Sequence, residues 1–321
     1  MKRLCFRGAA GAALALMFAL GASAQQQLIP VGKVVGLSLT EGSVTVAAFD
    51  DALGGCAREA GVRIGDDIVS VDGRTVDSAA DLNEALRCSG STVTLELCRE
   101  GESRTIHLEP AITADGPRLG VYVREGITGI GTVTYFDPQT QTFGALGHGI
   151  STAEGDLAPM RTGSVYRADV EDVRRGKIGA PGQLKGAVQT PEPIGTLTCN
   201  TSFGIFGSGI QWSGEALPTA EADEIHIGDA QILSNVSGDA VEAFDVEILR
   251  LYDHDPSTGR DLMLRVTDQD LLNATGGIVA GMSGSPIIQD GKLVGAVTHV
   301  LVNSPDTGYG IFIENMLDVA S

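Results

Sequence analysis

Along most of this chain, apolar residues recur at every second position in runs of four to eight, and polar, glycine- or proline-bearing stretches separate the runs. Thr92 to Arg99 and Arg104 to Leu108 alternate in this way, as do several runs between Ser151 and Gln211 that are broken at Gly176, Gly179–Gly182 and Gly186. Ala230–Leu233, Ala243–Tyr252 and Asp261–Thr267 continue the pattern, with a hairpin turn expected over Asp253–Gly259. A helical period shows in two places. Asp77 to Arg87 carries Ser78 and Asp81 at capping-box spacing and Leu82 and Leu86 on one face, and Gln269–Leu272 reads as a short helix. No heptad or short repeat is visible. The expectation is a mostly β protein, which the 43 glycines and 5% aromatic content suit.

The N-terminus departs from this pattern. Lys2, Arg3 and Arg7 precede an apolar run from about Gly8 to Leu20, then Gly21-Ala22-Ser23-Ala24. A basic start, a short apolar run and a small-residue cleavage site predict that residues 1–24 are a signal peptide for export, or an N-terminal anchor if they are kept. The formal charge of −19 on 321 residues becomes about −22 without those three cations, which makes nucleic acid and anionic lipid surfaces poor partners, and no nucleic acid is expected. Cys56, Cys88, Cys98 and Cys199 fit no zinc spacing, and no metal or cofactor is expected.

Residues 28–109 resemble a PDZ domain. The resemblance rests on Ala60-Gly61-Val62-Arg63-Ile64-Gly65-Asp66-Asp67-Ile68-Val69-Ser70-Val71-Asp72-Gly73, in which Gly65-Asp66 makes a turn before a core strand, and on Gly36-Leu37-Ser38-Leu39, placed like a carboxylate-binding loop. Gly36, Leu37, Ser38 and Leu39 with Leu82 and Leu86 of the helix are the expected peptide groove. A module with a closed groove that only braces its neighbour would carry the same residues. Residues 110–118 are the expected linker and 119–321 the second domain.

Within that domain the chemistry centres on Gly277-Ile278-Val279-Ala280-Gly281-Met282-Ser283-Gly284-Ser285-Pro286, followed by an apolar hairpin. A serine between glycines can project its oxygen while adjacent N–H groups turn inward, so Ser283 is the expected nucleophile and the N–H groups of Gly281 and Ser283 the oxyanion site. A bare G-x-S-G is common in ordinary turns; the longer run with its hairpin asks for a base and an acid elsewhere. His148, between Gly147 and Gly149 at a strand end, is the expected general base, with His299 its competitor as Ser285 is the competitor of Ser283. His107, His226 and His254 read as strand or turn residues. For the carboxylate, spacing leaves Asp268, Asp137, Asp156 and Asp270 open, and Asp268 is equally a helix N-cap.

Taken together, Gly144-Ala145-Leu146-Gly147-His148, Thr267-Asp268, the serine loop, Gly295-Ala296-Val297-Thr298-His299-Val300 and Gly308-Tyr309-Gly310 resemble the SpoIVB peptidases of spore-forming bacteria. The resemblance implies an N-terminal PDZ domain followed by a double β-barrel, chymotrypsin-like serine peptidase domain, with His148, Asp268 and Ser283 as the triad. It also implies self-cleavage, and cleavage of the regulatory partner of a membrane metalloprotease between the compartments of a sporulating cell. Two other readings remain at this stage: a silent PDZ scaffold, and an HtrA-like quality-control protease, whose PDZ usually follows the catalytic domain.

Overall fold

The computed structural model describes residues 25–320 apart from 41, 43, 153–154 and 254–258. The leader expected over 1–24 and the His254 turn lie outside the described residues. Among the described residues, no helix is long and apolar enough to cross a membrane.

The chain opens with β1 (Gln27–Pro30) and β2 (Val34–Thr40). It then leaves for a separate unit made of β3 (Val44–Phe49), α1 (Gly55–Ala60), β4 (Asp67–Val71), β5 (Arg74–Thr75), α2 (Ala79–Cys88), β6 (Val93–Arg99), β7 (Glu102–Leu108), the small hairpin of β8 (Ala111–Thr113) and β9 (Gly116–Arg118), and β10 (Val121–Arg124). The main sheet of this unit runs β10-β3-β4-β6-β7, with β5 paired to β4. Val44, Val46, Ile68, Val71, Leu95 and Leu97 of the sheet bury against Leu82, Ala85 and Leu86 of α2. Ser78 caps α2, its hydroxyl accepting from the Asp81 N–H. The Gly65-Asp66 turn is held by a buried ion pair: the Asp66 carboxylate accepts from Arg99 Nε at 2.6 Å, from Arg99 Nη2 at 2.8 Å and from the Arg63 N–H at 2.8 Å. Burial pushes that carboxyl up, and the Arg99 and Arg63 bonds pull it down further, so it stays ionised below the ordinary range.

Beyond β10 the chain returns to where β2 left off. The strands are β11 (Ile127–Asp137), β12 (Thr142–Ala145), β13 (Thr162–Arg174), β14 (Gln183–Val188), β15 (Gly195–Thr201), β16 (Gly204–Ser208) and β17 (Leu217–Pro218). They pair in the order β12-β16-β15-β13-β2-β11, and a β11–β12 ladder closes the ring into a six-stranded barrel. A second closed barrel follows, in the order β18-β19-β20-β23-β22-β21, from β18 (Gly228–Ser237), β19 (Ala240–Leu251), β20 (Leu262–Val266), β21 (Pro286–Gln289), β22 (Lys292–Leu301) and β23 (Ser304–Phe312). α3 (Gln269–Thr275) enters before the serine loop and α4 (Ile313–Asp318) follows the barrel. The mostly β fold expected from the sequence, a PDZ unit in the N-terminal part of the chain and two β-barrels, is the one observed, except that β1 and β2 of the first barrel's sheet come before the PDZ unit.

Two boundaries are corrected. β2 is a central strand of the first barrel, with Leu39 opposite Ile127 on one edge and opposite Gly163 on the other. Gly36, Leu37, Ser38 and Leu39 therefore form no peptide groove: both backbone edges of that strand are already bonded, and an added peptide has no free N–H or C=O to pair with. The PDZ-like unit is also longer at its far end. Residues 110–118 are the β8–β9 hairpin on α2, where Arg118 bonds Asn83, and β10 beyond them pairs with β3. The unit is an insertion between the neighbouring barrel strands β2 and β11.

An insertion predicts a particular fragment behaviour. A chain beginning at Leu119 leaves β11 and β13 without β2, and should show no cooperative thermal transition by circular dichroism. Replacing residues 44–124 by a short glycine-rich loop should leave both barrels melting cooperatively.

Candidate active site

The serine loop is pinned from three sides. Thr132 of β11 donates its N–H to the Ser283 carbonyl at 3.1 Å and its hydroxyl to the Gly281 carbonyl at 2.8 Å. The segment entering β14 takes the Ala280 N–H on the Gly182 carbonyl and returns the Leu184 N–H to the Ala280 carbonyl. Gly284 donates to the Val297 carbonyl of β22 at 2.7 Å. Gly284 has to be glycine here. Its φ is +96°, and a Cβ on it would lie 2.0 Å from the Thr132 carbonyl oxygen.

With the loop held so, the N–H groups of Gly281 and Ser283 donate to no acceptor among the described residues, although the N–H groups of Ala280, Met282, Gly284 and Ser285 all do. Gly281 reaches this conformation at φ +101°. Two undirected donors, one on the serine itself and one two residues before it, are what an oxyanion needs, and these are the two expected from the sequence.

His148 follows β12 on a turn in which Leu146 and Gly147 have φ of +70° and +69°. A Cβ on Gly147 would sit 3.0 Å from the Thr298 and Ile311 methyls of the second barrel, so this turn lies directly on it. His148, His299, Ser283 and Gly281 line one cleft of 920 Å³ along the seam of the two barrels. His148 Nδ1 lies 2.9 Å from the Gly149 carbonyl. A carbonyl only accepts, so Nδ1 carries the proton and Nε2 keeps the lone pair that a general base requires. Burial lowers the His148 pKa, and the Gly149 bond opposes this only in part. The His299 ring stands 5.0 Å from that of His148, and burial, then the His148 and Arg260 charges, push it down to about 4. Both imidazoles are neutral at pH 7. The Ser283 hydroxyl rests on the Thr298 carbonyl at 2.7 Å, so Oγ turns from there toward His148 before its proton can be taken.

The structure does not bring Asp268 into this group. Its carboxylate Oδ1 accepts the Leu271 N–H at 2.9 Å as the N-cap of α3, and among the described residues no carboxylate bonds His148. The reason is local: α3 begins at Gln269, and its unpaired N–H groups take the nearest acceptor. Asp137 is likewise spent, accepting from the Gln139 N–H in the β11–β12 turn. Ser285 is fully buried and donates to Ser234, which removes it as a nucleophile. His226 is paired with Asp290 and His107 with Thr94, both away from the cleft. Cys56, Cys88, Cys98 and Cys199 are free thiols, and no metal-holding cluster occurs among the described residues.

A second depression of 390 Å³ lies between α2 and β10. Leu82 and Leu86, expected in a groove, face Leu119, Val121 and Val123 across it, with Asn83 and Arg118 at one end. β10 is the edge of its sheet, and Gly120 turns at φ +67° where a Cβ would strike the Leu53 backbone at 2.2 Å. Arg118-Leu119-Gly120-Val121 thus occupies the place first given to Gly36–Leu39. The signal was a glycine between apolar residues leading into the alternating Val121-Tyr122-Val123.

The family model for SpoIVB peptidase S55 matches residues 116–317, and that for a PDZ domain matches residues 34–109. This chain belongs to the SpoIVB peptidase family. It is a serine peptidase that carries a PDZ domain. No curated protein matches it. Among solved structures, the active form of the Rv3671c protease from M. tuberculosis is 15% identical over 60% of this chain and 74% of that one, with a TM-score of 0.38. The PDZ domain of an SdrC-like protein from Listeria monocytogenes is 20% identical over 26% of this chain and 87% of that one, with a TM-score of 0.22.

Within a SpoIVB-family site built this way, Asp268→Asn keeps a good N-cap and should leave kcat within several-fold of wild type. A triad carboxylate replaced by its amide would lose roughly 10⁴ in kcat. Single-turnover kinetics on the variant separates the two. The lowered His148 pKa also sets the acid limb of activity. The base works only when neutral, so kcat/KM should hold its plateau as pH falls through the ordinary histidine value of about 6.5 and drop only below it.

Proposed function

We propose that this protein is an exported signalling endopeptidase of sporulation, which cleaves itself and a regulatory membrane protein and so releases processing of a sigma factor. The observation that carries the reading is the cleft at the barrel seam, where Ser283, the two undirected N–H groups and a correctly protonated His148 converge. In the reaction, Ser283 Oγ attacks a peptide carbonyl as His148 Nε2 takes its proton, and the N–H groups of Gly281 and Ser283 hold the oxyanion. His148 then returns the proton to the leaving amine, and water repeats the cycle on the acyl-enzyme. The family resemblance supports the sporulation role, and the leader-like start supports an extracytoplasmic place.

The placement of the PDZ unit supports control of cleavage by a captured peptide. Only Glu125 and Gly126 separate β10, the free edge beside α2, from β11, which lines the catalytic cleft and carries Thr132. The unit is also tied to the first barrel by the Asp77–Arg161 pair and by the Ala79 N–H on the Glu125 carboxylate. A peptide that adds to β10 therefore acts two residues from a strand that buttresses the nucleophile loop.

The test compares the exported chain, wild type beside Ser283→Ala, followed by mass spectrometry alone and with unfolded casein. A few defined self-cleavage sites in the wild type only, with casein largely intact, is the expected result. Casein cut at many sites would favour quality control, and a folded wild type that cuts nothing would overturn the reading.

A further inference from the structure

Two imidazoles meet in the catalytic cleft, and the peptidase mechanism uses one of them. His299 sits on β22 one residue after Thr298, whose carbonyl holds the Ser283 hydroxyl, and its ring stands 5.0 Å from that of His148. A plain contact between rings covers the same separations, so the distance alone decides nothing. The ring nitrogens do. His148 gives its Nδ1–H to the Gly149 carbonyl, which leaves the Nε2 lone pair without a partner. Among the described residues neither nitrogen of His299 is hydrogen-bonded, and the side chain is exposed at the cleft. One N–H on a backbone carbonyl, with the other nitrogen bare, is how a metal-ligating histidine is held.

The spacing fits a shared ion. Zinc binds an imidazole nitrogen at about 2.0–2.1 Å, which sets the ring centre roughly 3.2 Å from the metal, and two rings at the tetrahedral angle then stand about 5.2 Å apart. The observed separation is 5.0 Å. The rest of the cleft decides which ion binds and how firmly. Its described lining holds no aspartate, glutamate or cysteine, so imidazole nitrogen is the donor on offer, which suits zinc and not calcium or magnesium. Two side chains are fewer than a resident zinc centre uses, and water fills the remaining positions. Arg260, over the Tyr309 ring at 4.7 Å, adds a positive charge that is felt at His299. Such a site binds zinc reversibly.

We propose that His148 and His299 together bind a zinc ion that switches the peptidase off. With Nε2 on the metal, His148 has no lone pair for the Ser283 proton, and the hydroxyl stays on the Thr298 carbonyl. Removing the ion frees the base. The proposal rests on the peptidase reading above and adds an inhibitory ion to the same site.

The experiment uses the full chain, purified after export and freed of metal with EDTA. The rate of Ser283 labelling by a fluorophosphonate is followed by mass spectrometry, alone and with zinc, calcium or magnesium chloride. Zinc at ten times its dissociation constant should slow labelling about tenfold, with EDTA restoring the rate and calcium and magnesium leaving it unchanged. In His299→Ala and His299→Gln the ratio of the rates with and without zinc should stay within about twofold of one, a ratio that does not depend on the variant's own activity. No effect of zinc on the wild type, or inhibition that persists in both variants, would overturn the proposal and leave the peptidase intact. A folded, metal-free wild type that never labels would overturn the peptidase reading instead. Zinc titration of Ser283→Ala by calorimetry, beside Ser283→Ala/His299→Ala, then decides the metal site alone: a binding site lost with His299 supports it, and identical isotherms overturn it.

Discussion

Two close approaches hold this molecule's chemistry in place: Gly284 against Thr132, and Gly147 against Thr298 and Ile311. Each joins one barrel to the other; the first leaves no room for a side chain, and the second is tight, a Cβ on Gly147 lying 3.0 Å from the Thr298 and Ile311 methyls. The first sets the serine loop on a strand of the first barrel, so that its outer N–H groups stay undirected. The second lays the histidine turn on the second barrel. Nucleophile and base come from chain segments 135 positions apart, and these contacts between rigid closed sheets are what bring them to one cleft. A methyl group at Gly284 would strike the Thr132 carbonyl and displace the serine loop, undoing the site without touching a reacting atom.

The resting site is incomplete in a specific sense. Ser283 shares its proton with the Thr298 carbonyl, and His148 is oriented by the Gly149 carbonyl where a carboxylate would stabilise the imidazolium better. Oγ has to leave the Thr298 carbonyl before His148 can take its proton. The strand that buttresses the loop continues from the free edge of the PDZ sheet, which gives a ligand on that edge a short covalent path to the nucleophile.

Much of this was readable from residues alone, and the parts that were not share a cause. The serine loop and the glycine-flanked histidine were legible because their chemistry demands small neighbours at fixed offsets. The PDZ turn was legible because Gly65-Asp66 has one geometric solution before Ile68. β2 misled because an apolar alternating run specifies a strand but not the sheet that receives it, and Gly36–Leu39 pairs with strands about 90 and 125 residues away. Asp268 carried two uses that spacing could not separate, and the cap is the one the structure shows. The Gly149 and Thr298 carbonyls had no signal at all, since backbone groups leave no trace in residue type.

The most direct test of the account is the crystal structure of the chain after reaction with a fluorophosphonate. The account predicts phosphorus on Ser283 Oγ, the hydroxyl's bond to the Thr298 carbonyl gone, a phosphoryl oxygen within hydrogen-bond distance of the Gly281 and Ser283 N–H groups, and His148 Nε2 facing the adduct. An adduct on another residue, or a phosphoryl oxygen turned away from those two N–H groups, would contradict it.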